Sequence, residues 1–261
     1  MNLDLSGKTA LVCGSTQGLG YASAVELAAL GCHVVLMARN EEKLKASLLS
    51  LANNGIQKHD YIVADFNDTA VVKNAIEKFV HHQSVHILIN NTGGPAGGTA
   101  LNAAAADFLQ AFNNHLVNNH HLTQAVVPGM KAAGFGRIIN IISTSVKAPI
   151  EGLGVSNTIR GAVASWAKTL ATELGPFGIT VNNVLPGFTK TSRADYVISK
   201  KAEASGSTDA AVLAAIERDI PARRIGRPEE FGAAVAFLAS PAASYINGIN
   251  LPVDGGRLVC L

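Results

Sequence analysis

The 261-residue sequence has no long uninterrupted apolar run, although 48% of its residues are hydrophobic. No stretch approaches the roughly 18 consecutive apolar residues that predict a membrane-spanning helix. Residues 1–8 also lack the basic segment followed by an apolar stretch that is typical of a secretory signal. These absences predict a soluble, cytoplasmic protein with no membrane partner.

Cysteine is scarce, and Cys13, Cys32 and Cys260 show neither C-x-x-C nor metal-ligand spacing. We therefore expect reduced packing residues. The cluster His81, His82 and His86 does not form H-E-x-x-H, so surface positions at a helix end are the simpler interpretation. No metal site is predicted.

Charge is balanced as well, with a net charge of +2 and no block of one sign. A basic stripe for nucleic acid is absent, so no nucleic-acid partner is predicted. The chain also has no Pro/Ser-rich linker and no internal repeat. Because a domain averages roughly 150 residues, one or two domains are possible, and the missing linker favours a single domain over residues 1–261.

Apolar residues alternate between strand-like and helix-like periods along the chain. Strands are predicted near residues 9–14, 33–38, 60–65, 86–91, 136–143, 178–185 and 249–253, and helices near 22–30, 41–52, 70–80, 107–132, 162–174 and 229–239. This order predicts an α/β fold, a Rossmann-type doubly wound parallel sheet of about seven strands flanked by helices. Such a sheet binds its ligand at the carboxyl ends of its strands.

The first predicted strand breaks into Gly14, Gly18 and Gly20 just before a helix begins. Glycine lets a ligand approach the backbone closely, and the unpaired N–H groups of a first helical turn attract anions. The turn therefore predicts a pyrophosphate site, although its G-x3-G-x-G spacing differs from the commoner G-x-G-x-x-G.

Other polar residues follow the second, third and fourth strands. Arg39 stands where a carboxylate would hold the ribose of NAD, so it favours a 2′-phosphate and NADP over NAD. A solvated loop arginine is the alternative. Asp65 and Phe66 are placed to meet an adenine, and residues 90–94 are polar and glycine-rich where backbone must pass a ligand.

Together these motifs resemble the short-chain dehydrogenase/reductase family over essentially the whole chain. Residues 14–20 are similar to its glycine turn, 90–93 to its N-N-A-G and 185–189 to its P-G loop, while 226–230 and 251–256 resemble segments of bacterial 3-oxoacyl-carrier-protein reductases. The resemblance implies hydride transfer between NADP or NAD and a ketone or secondary alcohol, with a 3-oxoacyl thioester among the candidate substrates. It assigns cofactor contacts to Gly14, Ser15, Gln17, Gly18, Leu19, Gly20, Arg39, Asp65, Phe66, Asn91, Thr92, Gly93, Arg160, Pro186, Gly187 and Thr189.

The expected catalytic residues are only partly present. Ser143 occupies the family's serine position, but Ser156 stands in place of its tyrosine and Arg160 in place of its lysine. The family's asparagine position falls on His115, and Asn114 would restore it only if the helix carried a one-residue shift. An aliphatic hydroxyl is a far poorer acid than a phenol, so Ser156 cannot simply replace tyrosine. The catalytic candidates are Ser143, Ser156, Arg160 and His115.

The proton donor stays open at this point. His115 would exchange protons near neutral pH if it titrates near 6.5, although a hydrogen-bonded core histidine is the alternative. Lys147 and Tyr196 are further candidates, with a solvated lysine and a packing tyrosine as the simpler interpretations. Residues 188–225 are predicted to be a lid over the substrate, with a disordered insertion as the alternative.

A second function remains possible because the acid is missing: a catalytically impaired dinucleotide-binding sensor or assembly protein on the same fold. The resemblance also implies a homotetramer or homodimer, packed through the fourth and fifth helices and the C-terminal strand. Apolar residues on both sides of residues 162–171 are compatible with a second buried helix face.

Overall fold

The computed structural model describes residues 1–260. Seven strands form one parallel sheet in the order β3-β2-β1-β4-β5-β6-β7. They are β1 Thr9–Cys13, β2 His33–Ala38, β3 Asp60–Val63, β4 Ile87–Asn90, β5 Gly136–Ile141, β6 Ile179–Pro186 and β7 Asn250–Val253. Each bound lies within two residues of its prediction, and the order confirms the doubly wound sheet.

Nine α-helices are present in the described residues. They are α1 Gly18–Ala29, α2 Glu41–Leu49, α3 Thr69–Val80, α4 Ala105–Phe112, α5 Asn118–Ala133, α6 Gly154–Leu174, α7 Ser192–Ser205, α8 Asp209–Arg218 and α9 Pro228–Ala239. None of them has the length and apolarity needed to cross a bilayer.

Both faces of the sheet are covered at its centre, which explains why strands such as β1 and β2 carry apolar residues on both faces. Side chains alternate between faces along a strand. On β1, Val12 belongs to a buried cluster with α1 and α9, whereas Leu11 belongs to a second cluster with α3, α5 and α6. Each fully buried side chain of this size contributes roughly 1.5–3 kcal/mol relative to exposure.

The prediction of one helix over residues 107–132 is wrong. The segment contains α4, then a π-helical turn at Asn113–Val117, then α5. A π turn holds one residue more than an α turn and occurs often at functional sites. It brings His115 into the interior, with 2% of its surface exposed.

Two helices also begin earlier than predicted. The first begins at Gly18 and the sixth at Gly154, whereas the apolar periodicity indicated starts at residues 22 and 162. Their first turns contain glycine, serine and asparagine, which have low helix propensity and carry no apolar pattern.

A row of asparagines crosses the sheet next to its carboxyl edge. Asn90, Asn140, Asn183 and Asn250 occupy paired positions on β4 to β7. Each amide nitrogen donates to the amide oxygen on the next strand, at 2.8, 2.9 and 2.8 Å. This asparagine ladder joins the four strands and lies at the end of β4 and one residue before the end of β5.

Residues 188–225, here called the lid segment, fold into α7 and α8 with an apolar cluster of their own. Ile198, Ile216 and Ile220 are buried at its centre. The two ends of the segment meet where Gly226 bonds the backbone of Phe188 and of residue 190. The segment is therefore an ordered helical unit and not a disordered insertion.

Candidate active site

A cleft of about 930 Å³ opens at the carboxyl edge of the sheet. Its walls come from the loops after β1 to β4, from α4 and the π turn, and from β6 with the lid segment. The cleft contains all the predicted cofactor residues except Ser15, Gly20 and Arg160. The cleft therefore lies at the carboxyl ends of the strands, where a doubly wound sheet is expected to bind its ligand.

The glycine turn exposes bare backbone to this cleft. Gly14 and Gly18 have φ values of 56° and 59°, which side-chain-bearing residues rarely adopt. A β-carbon on Gly14 would lie 2.7 Å from Nδ2 of Asn91. That nitrogen donates to the carbonyl oxygens of Cys13 and Gly14, at 3.2 and 3.1 Å, and so ties the turn to the end of β4.

The N-terminus of α1 carries no side-chain cap and no acidic residue in its first turn. Its first amides are thus available to an external acceptor, and the helix dipole favours an anion there. The residues present fit the pyrophosphate of a dinucleotide.

Ser15 and Gly20 support the turn from behind. Ser15 is fully buried and its Oγ accepts from the amide of Met37, at 3.0 Å, which joins the turn to β2. Gly20 lies against the carbonyl oxygen of Gly14, where a β-carbon would not fit. Neither residue lines the cleft with its side chain, and a cofactor contact through the backbone of Ser15 or Gly20 stays a prediction.

At the other end of the cleft lie Arg39, Asp65 and Phe66. Arg39 is exposed and takes part in none of the ion pairs within residues 1–260. Asp65 accepts from the amide of Asn67 at 3.0 Å, which holds its carboxylate at the end of β3. An unpaired guanidinium at this position fits a 2′-phosphate.

Ser143 and Ser156 are half-buried and lie outside the surface that lines the cleft. Ser143 follows β5, and its Oγ accepts from the amide of Ser145 at 3.0 Å. Because this bond uses only a lone pair, the hydroxyl proton stays available to a substrate oxygen. Ser156 lies in the first turn of α6, one turn before Arg160.

Arg160 is a buried cation without a counter-ion among residues 1–260. Its Nη1 donates to the carbonyl of Ile141 at 3.1 Å. Its Nη2 lies next to Gly94, where an added β-carbon would be 3.9 Å from it. Its Nε is buried and has no partner. Burial lowers the pKa of Arg160 to about 10, so the side chain remains charged at neutral pH. An unsatisfied buried donor is costly, which favours a polar ligand group here.

His115 lines the cleft beside this cation. Burial first, and then the charge of Arg160, lower the pKa of His115 to about 2, while a hydrogen bond with the Gly93 backbone opposes the shift. The imidazole is therefore neutral at physiological pH. The assumption that His115 titrates near 6.5 does not hold in the folded chain.

Asn114, the alternative to His115 at the family's asparagine position, also lines the cleft. Its side-chain amide is bonded to Gln110 and Asn67, at 2.7 and 3.0 Å. Lys147 and Tyr196 are exposed and lie outside the cleft lining.

The sequence analysis predicted a lid over residues 188–225 but did not name the residues of this segment that line the cleft. Thr191, Ser192 and Arg193, at the start of α7, line it opposite the glycine turn. Their only sequence signal is that they directly follow the P-G loop. Pro95 and residues 96–99 also line the cleft, and no pattern in the sequence marked them.

Comparison with known proteins gives matches over the full length. A family described as enoyl-(acyl carrier protein) reductase matches residues 14–257. The chain is 35% identical to 3-oxoacyl-[acyl-carrier-protein] reductase of Rickettsia bellii, over 98% of this chain and 99% of that protein. It is 33% identical to a tropinone reductase homologue of Arabidopsis thaliana, over 98% and 94% of the two chains.

Solved structures agree with the sequence matches. L-sorbose reductase from Gluconobacter frateurii, in complex with NADPH and L-sorbose, superposes with a TM-score of 0.93 at 29% identity and covers both chains completely. Actinorhodin polyketide ketoreductase with NADPH gives a TM-score of 0.88 at 30% identity, over 96% of this chain and 97% of that one.

Proposed function

This chain belongs to the short-chain dehydrogenase/reductase family, and from that premise we propose that it is an NADP(H)-dependent oxidoreductase acting on a ketone or secondary alcohol. The observation that carries the proposal is the cleft, in which an intact glycine turn and the unpaired Arg39 lie at separate positions along one surface. A 3-oxoacyl thioester is the first substrate to test, since a 3-oxoacyl reductase is among the relatives.

The proposed contacts follow the cleft from end to end. Residues 14–20 hold the pyrophosphate, Arg39 the 2′-phosphate, and Asp65 with Phe66 the adenosine. Residues 91–93 and the loop 186–189 flank the nicotinamide end, where Arg160 binds the ribose from below Gly94. When bound, NADP(H) gives or takes a hydride at its nicotinamide ring.

Ser143 binds the substrate oxygen through its hydroxyl proton. The buried charge of Arg160 stabilises the negative charge that develops on that oxygen during reduction, and it does so strongly because water is excluded around it. Ser156 and a water molecule relay a proton from water to the substrate oxygen. Support for Ser156 over His115 comes from the low pKa of His115, because the imidazole is neutral at pH 7 and holds no imidazolium proton to transfer as a general acid.

The test combines binding and turnover. Dissociation constants for NADPH and NADH are measured by fluorescence, and loss of absorbance at 340 nm is followed with a panel of 3-oxoacyl thioesters, cyclic ketones and keto sugars. Tighter binding of NADPH with turnover supports the proposal. No binding of either nucleotide would overturn the cofactor assignment.

A non-catalytic sensor or assembly protein is the second candidate, favoured by the serine at position 156 and the arginine at position 160. Binding of NADPH without turnover on a broad panel would support it. We also propose a cytoplasmic homotetramer or homodimer. Leu109 and Phe112, exposed at 66% and 40% on α4, support a second copy at that face, and solution mass measurement tests it.

A further inference from the structure

The cleft has two walls with similar electrostatics. The glycine turn and the N-terminus of α1 form one wall, and the N-terminus of the 14-residue helix α7 forms the other. A β-carbon on Gly18 would lie 3.6 Å from Cγ2 of Thr191, the N-cap of α7. The two helix N-termini therefore face each other across the narrow part of the cleft.

The first turn of α7 leaves donors available. Oγ1 of Thr191 accepts from the amide of Ala194, at 3.3 Å, and the carbonyl of Thr191 accepts from Asp195. The amides of Ser192 and Arg193 precede the first intrahelical bond and have no partner within the helix. Asp195, the acidic residue of this turn, is outside the cleft lining.

Arg193 adds a full charge at the same place. Arg193 and Arg39 are the two cations that line the cleft within residues 1–260. The guanidinium of Arg193 lies 5.4 Å from the ring centre of Tyr196, which is half exposed, and it makes no ion pair in the described part of the chain. A cation–π contact at an exposed ring is weak, so a phosphate would readily take its place.

We propose that Arg193 binds the cofactor pyrophosphate from the lid side and thereby ties the lid segment to the bound cofactor. This inference rests on the proposed function, because it assumes a dinucleotide in the cleft. It deepens that function by dividing the two cations between the two anionic parts of NADP(H). Arg39 meets the 2′-phosphate, which NADP has and NAD lacks, and Arg193 meets the pyrophosphate, which both have.

The lid segment is packed as one unit, so a contact at Arg193 bears on the whole segment. Its apolar cluster is separate from the clusters that cover the sheet. At its base, Arg224 forms a double hydrogen bond with Glu230 of α9, at 2.7 and 2.6 Å. Cofactor binding at Arg193 is thus expected to protect all of α7, and not only its first turn.

The experiment measures dissociation constants of NADPH and NADH for the wild type and three variants. R193Q is expected to weaken both nucleotides about tenfold, because both contain the pyrophosphate. R39Q is expected to weaken NADPH alone. K201Q removes an exposed charge from the same helix α7, outside the cleft, and is expected to change neither constant. R193K keeps a point charge and is expected to restore part of the affinity.

Hydrogen exchange of residues 192–205 supplies a second readout that does not depend on turnover. Saturating NADPH is expected to protect this helix in the wild type and in R39Q, but not in R193Q. Unchanged affinity and unchanged protection in R193Q would overturn the inference, as would an effect confined to the KM of an anionic substrate. If the wild type bound neither nucleotide, the proposed function itself would fail, and the two failures are thereby distinguished.

Discussion

Lowering the pH from 6.5 to 5.0 is expected to destabilise the folded chain through His115. In the fold, burial and the charge of Arg160 lower the pKa of this side chain to about 2, against an ordinary value of 6.5. Between these two values the unfolded chain binds a proton that the folded chain does not. The free energy of unfolding therefore falls as the pH falls, and the stability held by the neutral imidazole is complete only above pH 6.5.

The magnitude follows from linkage. Between pH 6.5 and 5.0, a histidine that stays neutral in the folded chain lowers the free energy of unfolding by about 1.7 kcal/mol relative to a histidine that titrates normally. The result barely depends on the folded value, provided that it lies below about 4. The side chain is only 2% exposed, so solvent screening takes little away.

The assay is urea unfolding at half-unit steps from pH 7.0 to 5.0, for the wild type, H115N and H82Q. Asparagine cannot titrate, so between pH 6.5 and 5.0 H115N is expected to lose about 1.7 kcal/mol less than the wild type. H82Q removes an exposed histidine and serves as the matched control, with a profile like that of the wild type. Parallel profiles for the wild type and H115N would refute the reasoning, whatever their absolute stabilities.

Three further outcomes are expected. For the reduction, kcat/KM is expected to stay within about twofold from pH 6 to 9. The reason is that His115 is already neutral and that Arg160, with a pKa of about 10, is still charged over this range. A bell-shaped profile centred near pH 7 would instead point to an unrecognised titrating donor. Gly14→Ala is expected to lower the free energy of unfolding by about 1–2 kcal/mol, because Gly14 has a left-handed backbone conformation. It is also expected to weaken NADPH binding at least tenfold, because the added β-carbon would clash with Asn91. An unchanged melting temperature and dissociation constant would contradict this prediction. Asn140→Leu removes the middle of the asparagine ladder and leaves neighbouring buried amides unpaired. It is expected to lower the free energy of unfolding in urea by about 2–4 kcal/mol, whereas Asn250→Leu, at the less buried end of the ladder, is expected to lower it by less.

The sequence predicts the sheet and much of the cleft because both depend on local patterns. An apolar strand followed by glycines needs only its own residues to be recognised, and residues 9–20 form the expected strand and glycine turn, although α1 begins earlier than predicted. The π turn has no such signal. Residues 107–132 keep a helical period on both sides of it, so the extra residue emerges only when the segment packs on its neighbours.

The chemistry of the site depends on burial, which a single sequence does not display. His115 was a plausible titrating group until its surroundings were known, and its low pKa comes from two tertiary causes, the apolar interior and a cation on another helix. Arg193 was missed for a related reason. Its distance from the glycine turn along the chain is large, and only the fold of the lid segment brings them to one cleft.

The buried charge of Arg160 is an energetic argument for the proposed catalytic function, although its position in the sequence also fits the non-catalytic candidate. A buried guanidinium without a counter-ion carries a desolvation penalty, and one of its donors is unsatisfied as well. Neutral ribose hydroxyls need hydrogen bonds from a binding protein, but they do not need a full charge. A full charge is useful where negative charge develops, as on a carbonyl oxygen during its reduction. In the proposed function, Arg160 therefore supplies electrostatic stabilisation and Ser156 supplies no titrating acid, which is the combination expected of an enzyme whose proton comes from water.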